Sequence, residues 1–251
     1  MTEKAISNTT PPHYYTADQR FHNVRPSVYL HMGWRERLSV LRRLLFTARS
    51  RMPEQRLPEV TPNWREFLKP DNKTRIIWFG HSSLLLNMDG LTVLIDPVFS
   101  ASAAPFPFRI KRFQPPVVPM EALPAIDVIV LSHNHYDHLD RVTIDFFRDK
   151  KTHFVTPLGM GKTLQKWGIG AERITERDWY EECACKTLRL TATPARNASG
   201  RTPFDHNRTL WCSWVLQSPH ETLYYSGDSA YDDQPCKLVL DLAPRTFVPI
   251  H

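Results

Sequence analysis

From residue 73 onward the chain alternates short apolar runs with polar breaks. Thr74–Phe79 (TRIIWF) and Ser83–Asn87 (SLLLN) predict strands. Asp89-Gly90 predicts a tight hairpin turn, and Leu91–Ile95 (LTVLI) the return strand, stopped by Asp96-Pro97. Asp127–Ser132 (DVIVLS) carries an unbroken apolar run between its aspartate and its serine, the pattern of a strand covered on both faces. Arg141–Lys150 and Gly159–Trp167 predict helices, with a short strand at His153–Thr156 between them. Thr187–Thr193 alternates like a strand, and Thr209–Gln217 and Thr222–Ser226 predict a hairpin around Ser218-Pro219-His220. Strands that come first as hairpins and then mixed with helices imply a layered α/β (α+β) fold rather than a doubly wound sheet.

Residues 1–72 differ in texture and read as an N-terminal arm, with the main domain at 73–251. The arm is rich in Pro and Arg and poor in strand-like runs. Within it, Trp34–Arg51 predicts a helix with Trp34, Leu38, Leu41 and Leu45 on one face, and six arginines against one glutamate. Such a helix either rests on an anionic membrane or packs its apolar face on the domain. The packing role is the commoner fate of amphipathic helices.

Composition narrows this picture. Of 251 residues, 41% are hydrophobic and 11% aromatic, enough for a large core and against disorder. The net charge of +6 either serves solubility alone or favours an anionic partner: a phosphate-bearing small molecule or phospholipid, an acidic membrane contacted peripherally, or nucleic acid. No recognisable nucleic-acid-binding module accompanies it, so no specific nucleic acid is expected. The four cysteines show no disulfide framework, which fits a reducing compartment. The polar N-terminus lacks the apolar centre of a signal peptide, and no apolar run of about 18 residues exists. The expectation is a cytoplasmic protein, at most peripheral on the inner face of a membrane.

The chemistry concentrates at Leu131-Ser132-His133-Asn134-His135-Tyr136-Asp137-His138-Leu139-Asp140. Three imidazoles and a carboxylate lie within six residues, directly after the buried strand. A strand end opening into a loop can turn alternate side chains into one cavity. Imidazole nitrogen and carboxylate oxygen suit zinc and its first-row neighbours. His133 and His135 can face one metal, Asp137 and His138 a second.

His-x-His-x-Asp-His after an apolar strand resembles the signature of the metallo-β-lactamase superfamily. Trp78-Phe79-Gly80-His81-Ser82-Ser83, Asp89-Gly90, Ile95-Asp96-Pro97, Leu123-Pro124, Thr193-Pro194-Ala195, Leu210-Trp211 and Ser226-Gly227-Asp228, in that order, are similar to the group of N-acylphosphatidylethanolamine-hydrolysing phospholipases D and their bacterial relatives. The resemblance implies a four-layer αββα sandwich with two metals at one edge. It makes His133 and His135 ligands of one metal, Asp137 and His138 ligands of the other, and Asp228 the bridging carboxylate. His81 and Asp96 would line the site, Asp96 orienting a ligand imidazole. The family histidine after Thr-Pro-Ala-x is replaced here by Asn197, a weaker ligand. The family also continues to a late histidine, whereas this sequence stops at His251, 23 residues after Asp228, so the domain is expected to be partial at its C-terminal end.

The resemblance further implies hydrolysis of a phosphodiester, phospholipase D-like on an N-acylphosphatidylethanolamine-type lipid, by a metal-bound hydroxide that Asp137 and Asp228 hold. Two Zn2+ sites are expected, with Mn2+ or Fe2+ as alternatives. A sugar-phosphate lactonase of the same fold, or a degenerate homologue with weak or no catalysis, are the alternative readings.

Overall fold

In the computed structural model, the described residues are 13–15, 17–24, 33–36, 38–39, 42, 53–103, 111–202, 204–231, 241 and 243–250. They build a two-sheet sandwich. The larger sheet runs β3-β4-β5-β6-β7-β8. These strands are β3 (Arg75–Trp78), β4 (Leu84–Met88), β5 (Leu91–Ile95), β6 (Val128–Val130), β7 (His153–Pro157) and β8 (Ile174–Arg177). β3, β4 and β5 pair antiparallel, and β5 through β8 pair parallel. Asp89 and Gly90, at φ 53° and 78°, make the β4–β5 turn that the sequence predicts and set Met88 opposite Leu91.

The second sheet runs β13-β12-β11-β10-β9. It comprises β9 (Glu182–Cys185), β10 (Leu188–Thr193), β11 (Ser213–Gln217), β12 (Thr222–Tyr225) and β13 (Thr246–Val248). A small hairpin, β1 (Tyr14–Tyr15) with β2 (Arg20–Phe21), precedes both sheets. The described helices are short: α1 (Trp64–Phe67), α2 (Arg141–Phe146) and α3 (Gly161–Lys166).

The two-residue period of the strands sorts the core into two layers. Leu84, Leu86, Val93, Val130 and Val155 meet Leu190, Trp214, Leu216, Leu223 and Tyr225 between the sheets. Leu85, Leu94, Ile129 and Phe154 face the opposite way, onto Ile144 of α2, Phe147 and Leu164 of α3. Both faces of β4, β5 and β6 are therefore buried, which is why those strands read as unbroken apolar runs. Each such side chain stabilises the fold by roughly 1.5–3 kcal/mol.

Three features differ from the sequence reading. The helix at Arg141 stops at Phe146, because Phe147 and Arg148 donate to Ile144 and Asp145, three residues back, and tighten the last turn. Thr209–Cys212 lies outside β11: Leu210 N–H donates to Leu158 O and Cys212 N–H to Ser132 O, so this stretch ties segments together instead of extending a ladder. Strands β8, β9 and β13 carry charge or lack apolar alternation and escaped the pattern. Of the predicted helix Trp34–Arg51, residues 34–36, 38, 39 and 42 are helical and exposed; the rest lies outside the described residues.

The segment before residue 73 packs against the sandwich. Phe21 is buried in the layer between the sheets, His13 stacks on Trp179 and pairs with Asp178 at 2.8 Å, and Phe67 joins the helix-side layer. Among the described residues, Cys183, Cys185 and Cys212 are free thiols, and no helix is long and apolar enough to cross a membrane.

Candidate metal centre

One edge of the sandwich collects the ends of several strands. The C-terminal ends of β5 and β6, the turn before β4, the end of β10 and the end of β12 all meet there, since Leu84 pairs with Ile95 and Trp214 with Tyr225. Two bonds lock the sheets together at this edge: Cys212 N–H to Ser132 O at 3.0 Å, and Trp214 Nε1–H to Leu131 O at 2.8 Å. The segment after β6 therefore leaves the core from a fixed point.

That segment carries His133 and His138, both buried, with His135 and Asp137 half-buried beside them. His133 Nε2 lies 2.9 Å from His135 Nδ1. Asp228 arrives from the end of β12 and spans the pair of buried imidazoles: Oδ1 is 3.1 Å from His138 Nε2, and Oδ2 is 3.7 Å from His133 Nε2. Gly227 makes this approach possible. Its φ is +55°, and a Cβ there would sit 2.9 Å from Ser132 Cβ and 3.1 Å from Cys212 O.

Asp96 is fully buried and organises the base of the site. It accepts from Ser132 N–H at 2.7 Å, from the Ser132 hydroxyl, and from Tyr225 O–H at 2.7 Å. Its Oδ2 also lies 2.8 Å from His138 Nδ1. This fixes the ring of His138 with Nε2 turned to Asp228. His81, in the turn between β3 and β4, is exposed and places Nε2 3.0 Å from Asp137 Oδ2. Its φ of 51° is unusual for a residue with a side chain. The Trp78 indole, donating to His81 O at 2.8 Å, holds it there.

Three donor groups result, each with its atoms within 4.8 Å of one another: His133, His135 and Asp228; His81, Asp137 and His138; and Asp96, His133 and His138. Asn197 lies in the loop after β10. Its backbone pairs with Asn23, and its buried Nδ2 has no hydrogen-bond partner among the described residues.

The charges are mutually adjusted. Burial disfavours the charged form of His138, but Asp228 and Asp96 outweigh it and lift its pKa to about 10. Burial pushes the Asp137 carboxyl up, yet His81 and His138 hold it well below the usual carboxylate range. Burial, with the cations of His138 and Arg201, lowers His135 despite nearby Asp137 and Asp228. Burial raises the Tyr225 phenol far above its ordinary value, and the Asp96 charge adds to it. Imidazoles and carboxylates so arranged fit a divalent first-row metal, which would replace the proton that the carboxylates now stabilise.

A cleft of about 380 Å³ opens beside His81, His135 and Asp137, walled by Val98, Lys111, Arg112 and Phe113. Arg112 is tied to the backbone, donating to Val98 O and, at 3.5 Å, to Phe79 O. A larger cleft of about 760 Å³ lies at the opposite end of β6, beside Asp127, Lys150 and Lys186, and holds none of these donors.

Several contributors are absent from the sequence reading. Tyr225 reads only as the last apolar residue of a strand. Arg201 stacks on Tyr136 at 3.8 Å and donates to Asn134 O and Leu139 O at 3.0 and 2.7 Å, bracing the metal loop from a distant one. Lys111 and Arg112 carried a signal, as members with Arg109 of a group of cations in a Pro- and Phe-rich loop.

The chain as a whole is similar to known proteins. The family model described as the beta-lactamase superfamily domain matches residues 92–251. An uncharacterized protein of Mycobacterium tuberculosis is 34% identical over 98% of this chain, which spans 66% of that protein's length. N-acyl-phosphatidylethanolamine-hydrolyzing phospholipase D 1 of Caenorhabditis elegans is 32% identical over 69% of this chain and 56% of its own. Among solved structures, the isothiocyanate hydrolase from Delia radicum gut bacteria shares the fold, with a TM-score of 0.55 at 19% identity over 68% of this chain and 69% of the other.

Proposed function

The chain belongs to the beta-lactamase superfamily, and from that premise we propose that it is a metal-dependent hydrolase of phosphodiesters, acting on an N-acylphosphatidylethanolamine-type phospholipid. The observation that supports this best is the Asp228 carboxylate, which turns one oxygen to His133 and the other to His138 and so joins two donor groups into one site. His133 and His135 would hold one metal, Asp137 and His138 the other, with Asp228 shared. Zinc is the metal favoured by this donor set, with manganese or iron as alternatives. When bound, such ions polarise a phosphoryl group and supply a nucleophilic water at neutral pH.

The residues of the chain do the positioning. Asp96 and Tyr225 keep His138 in one orientation. Asp137 and Asp228 present acceptor oxygens that orient an attacking water. Lys111 and Arg112 put positive charge on the wall where a phosphate would lie, and Val98 and Phe113 give the apolar surface that a lipid arm needs. The relative from Caenorhabditis elegans carries the same lipid class in its name. Contact with an anionic membrane would bring the substrate to the cleft.

A substrate panel tests this reading. It holds an N-acylphosphatidylethanolamine in mixed micelles, a simple bis-aryl phosphodiester and a sugar-phosphate lactone, each assayed with added zinc. Cleavage of the phosphodiesters and sparing of the lactone is expected. Turnover of the lactone alone would replace the proposal with the lactonase reading.

A further inference from the structure

The loop after β10 touches three parts of the molecule at once. Toward the bridging carboxylate, Arg196 N–H donates to Ser229 Oγ at 3.1 Å, and Ala230 N–H donates to Arg196 O at 2.9 Å. Toward the histidine loop, Gly200 N–H donates to Asn134 Oδ1 at 2.7 Å, and Arg201 holds the carbonyls of Asn134 and Leu139. The third side faces the N-terminal segment. Asn23 Nδ2 donates to Asn197 O at 2.7 Å, and Asn197 N–H donates to Asn23 Oδ1 at 3.2 Å. Two residues from each partner of that clamp, Phe21 N–H donates to the Asn207 carbonyl and Ser199 N–H to the Asn207 side chain.

We infer that Asn23 is a positioning residue of the metal centre, acting on Asp228 and on the His133–His138 segment through the loop 196–201. The chemistry of the clamp supports this. A primary amide facing the backbone of one residue satisfies both its N–H and its C=O, and so holds the two peptides on either side of Asn197, which a carboxylate, having no donor, cannot do. The residue held this way follows Arg196, whose N–H reaches the Ser229 hydroxyl and whose C=O accepts from Ala230 N–H, directly after Asp228. The clamp is itself anchored, since Phe21 is buried between the sheets and His13 is seated on Trp179 and Asp178. The N-terminal segment thus completes the support of the site. An unclamped loop would let the two metal-bearing loops shift independently, and donor groups misplaced by a fraction of an ångström bind metal more weakly.

The inference rests on the metal site proposed above, and zinc itself is the probe. Zinc affinity is measured by competition with a chromophoric chelator for the wild-type chain, Asn23→Ala and Asp18→Ala, alongside urea unfolding of each metal-free protein. Asp18 lies in the same segment and, among the described residues, accepts from Arg20 N–H and pairs with the His22 ring, away from the loop 196–201, so it controls for general disturbance of the arm. Asn23→Ala is expected to bind zinc about tenfold or more weaker while still folded, the scale of losses behind a metal ligand, and Asp18→Ala to match the wild type. If the alanine variant does not fold, Asn23→Asp, which keeps the acceptor and loses the donor, is read in its place. Equal zinc affinity in the folded Asn23 variant and the wild type would overturn the inference and leave the metal site standing. A wild-type chain that binds no zinc would overturn the metal site, and the inference with it.

Discussion

At the scale of single residues, Asp96 and His138 carry the most consequence. In the metal-free protein His138 keeps its proton through neutral pH, because the carboxylates on either side raise its pKa from 6.5 to about 10. A metal at Nε2 must displace that proton, so binding at pH 7 should release about one proton from this residue. Calorimetry in buffers of different ionisation enthalpy measures the release. Asp96→Asn removes one of the two charges and should reduce the release and weaken metal binding by about 10- to 100-fold. The same pKa governs stability. Because the folded value lies above the unfolded one, the contribution of His138 is full below about pH 6.5 and is lost as pH rises toward 10. Urea midpoints of the metal-free protein should therefore fall across that window, and less steeply in Asp96→Asn. The residues of this centre differ in how legible they were. His133, His135, Asp137 and His138 are adjacent in sequence, and their spacing alone suggests a metal. Asp96 and Asp228 acquire meaning only from their order in a longer motif. Asn23, Tyr225 and Arg201 act through contacts across 174, 129 and 67 residues of chain, which no local pattern encodes.

At the scale of elements, the interior was legible and the rim, β3 aside, was not. Strands β4, β5 and β6 are covered on both sides and announce themselves as apolar runs. β8, β9 and β13 are edge strands whose side chains are mostly half-buried or exposed, so they need little apolar content. Helix α2 shows how the metal motif serves the fold as well as the chemistry. Asp140, the last residue of the motif, caps this helix through Val142 N–H at 3.3 Å. It also accepts from Phe99 N–H, Ser100 N–H and the Thr143 hydroxyl at 3.1, 3.0 and 2.6 Å. One carboxylate thus fastens the loop after β5 to the loop after β6. Asp140→Ala should cost at least about 2 kcal/mol of unfolding free energy. The check is chemical denaturation of the metal-free variant against the wild type, where a loss under about 0.5 kcal/mol would deny it this role.

At the scale of the whole molecule, the sandwich supplies a rigid edge, and the segments outside the sheets equip it. The N-terminal segment reads as an arm because it lacks periodic strands, yet Phe21 and Phe67 lie in the two core layers. A bulky residue buried singly leaves no periodic trace in the sequence. The net charge of +6 and the arginine-rich stretch at 34–51 bear on the proposed encounter with lipid. Co-sedimentation with anionic vesicles should fall steeply between low salt and about 0.5 M salt, as screening shortens the reach of charge; binding that ignores salt would assign the stretch to packing. Whether this edge of the sandwich holds metal is decided by elemental analysis. Wild-type protein reconstituted with zinc and passed through a desalting column is compared with His133→Ala/His135→Ala treated the same way. Bound zinc is expected in the wild type and at least one equivalent less in the double variant; equal zinc content in the two proteins would rule out a metal site built on these histidines.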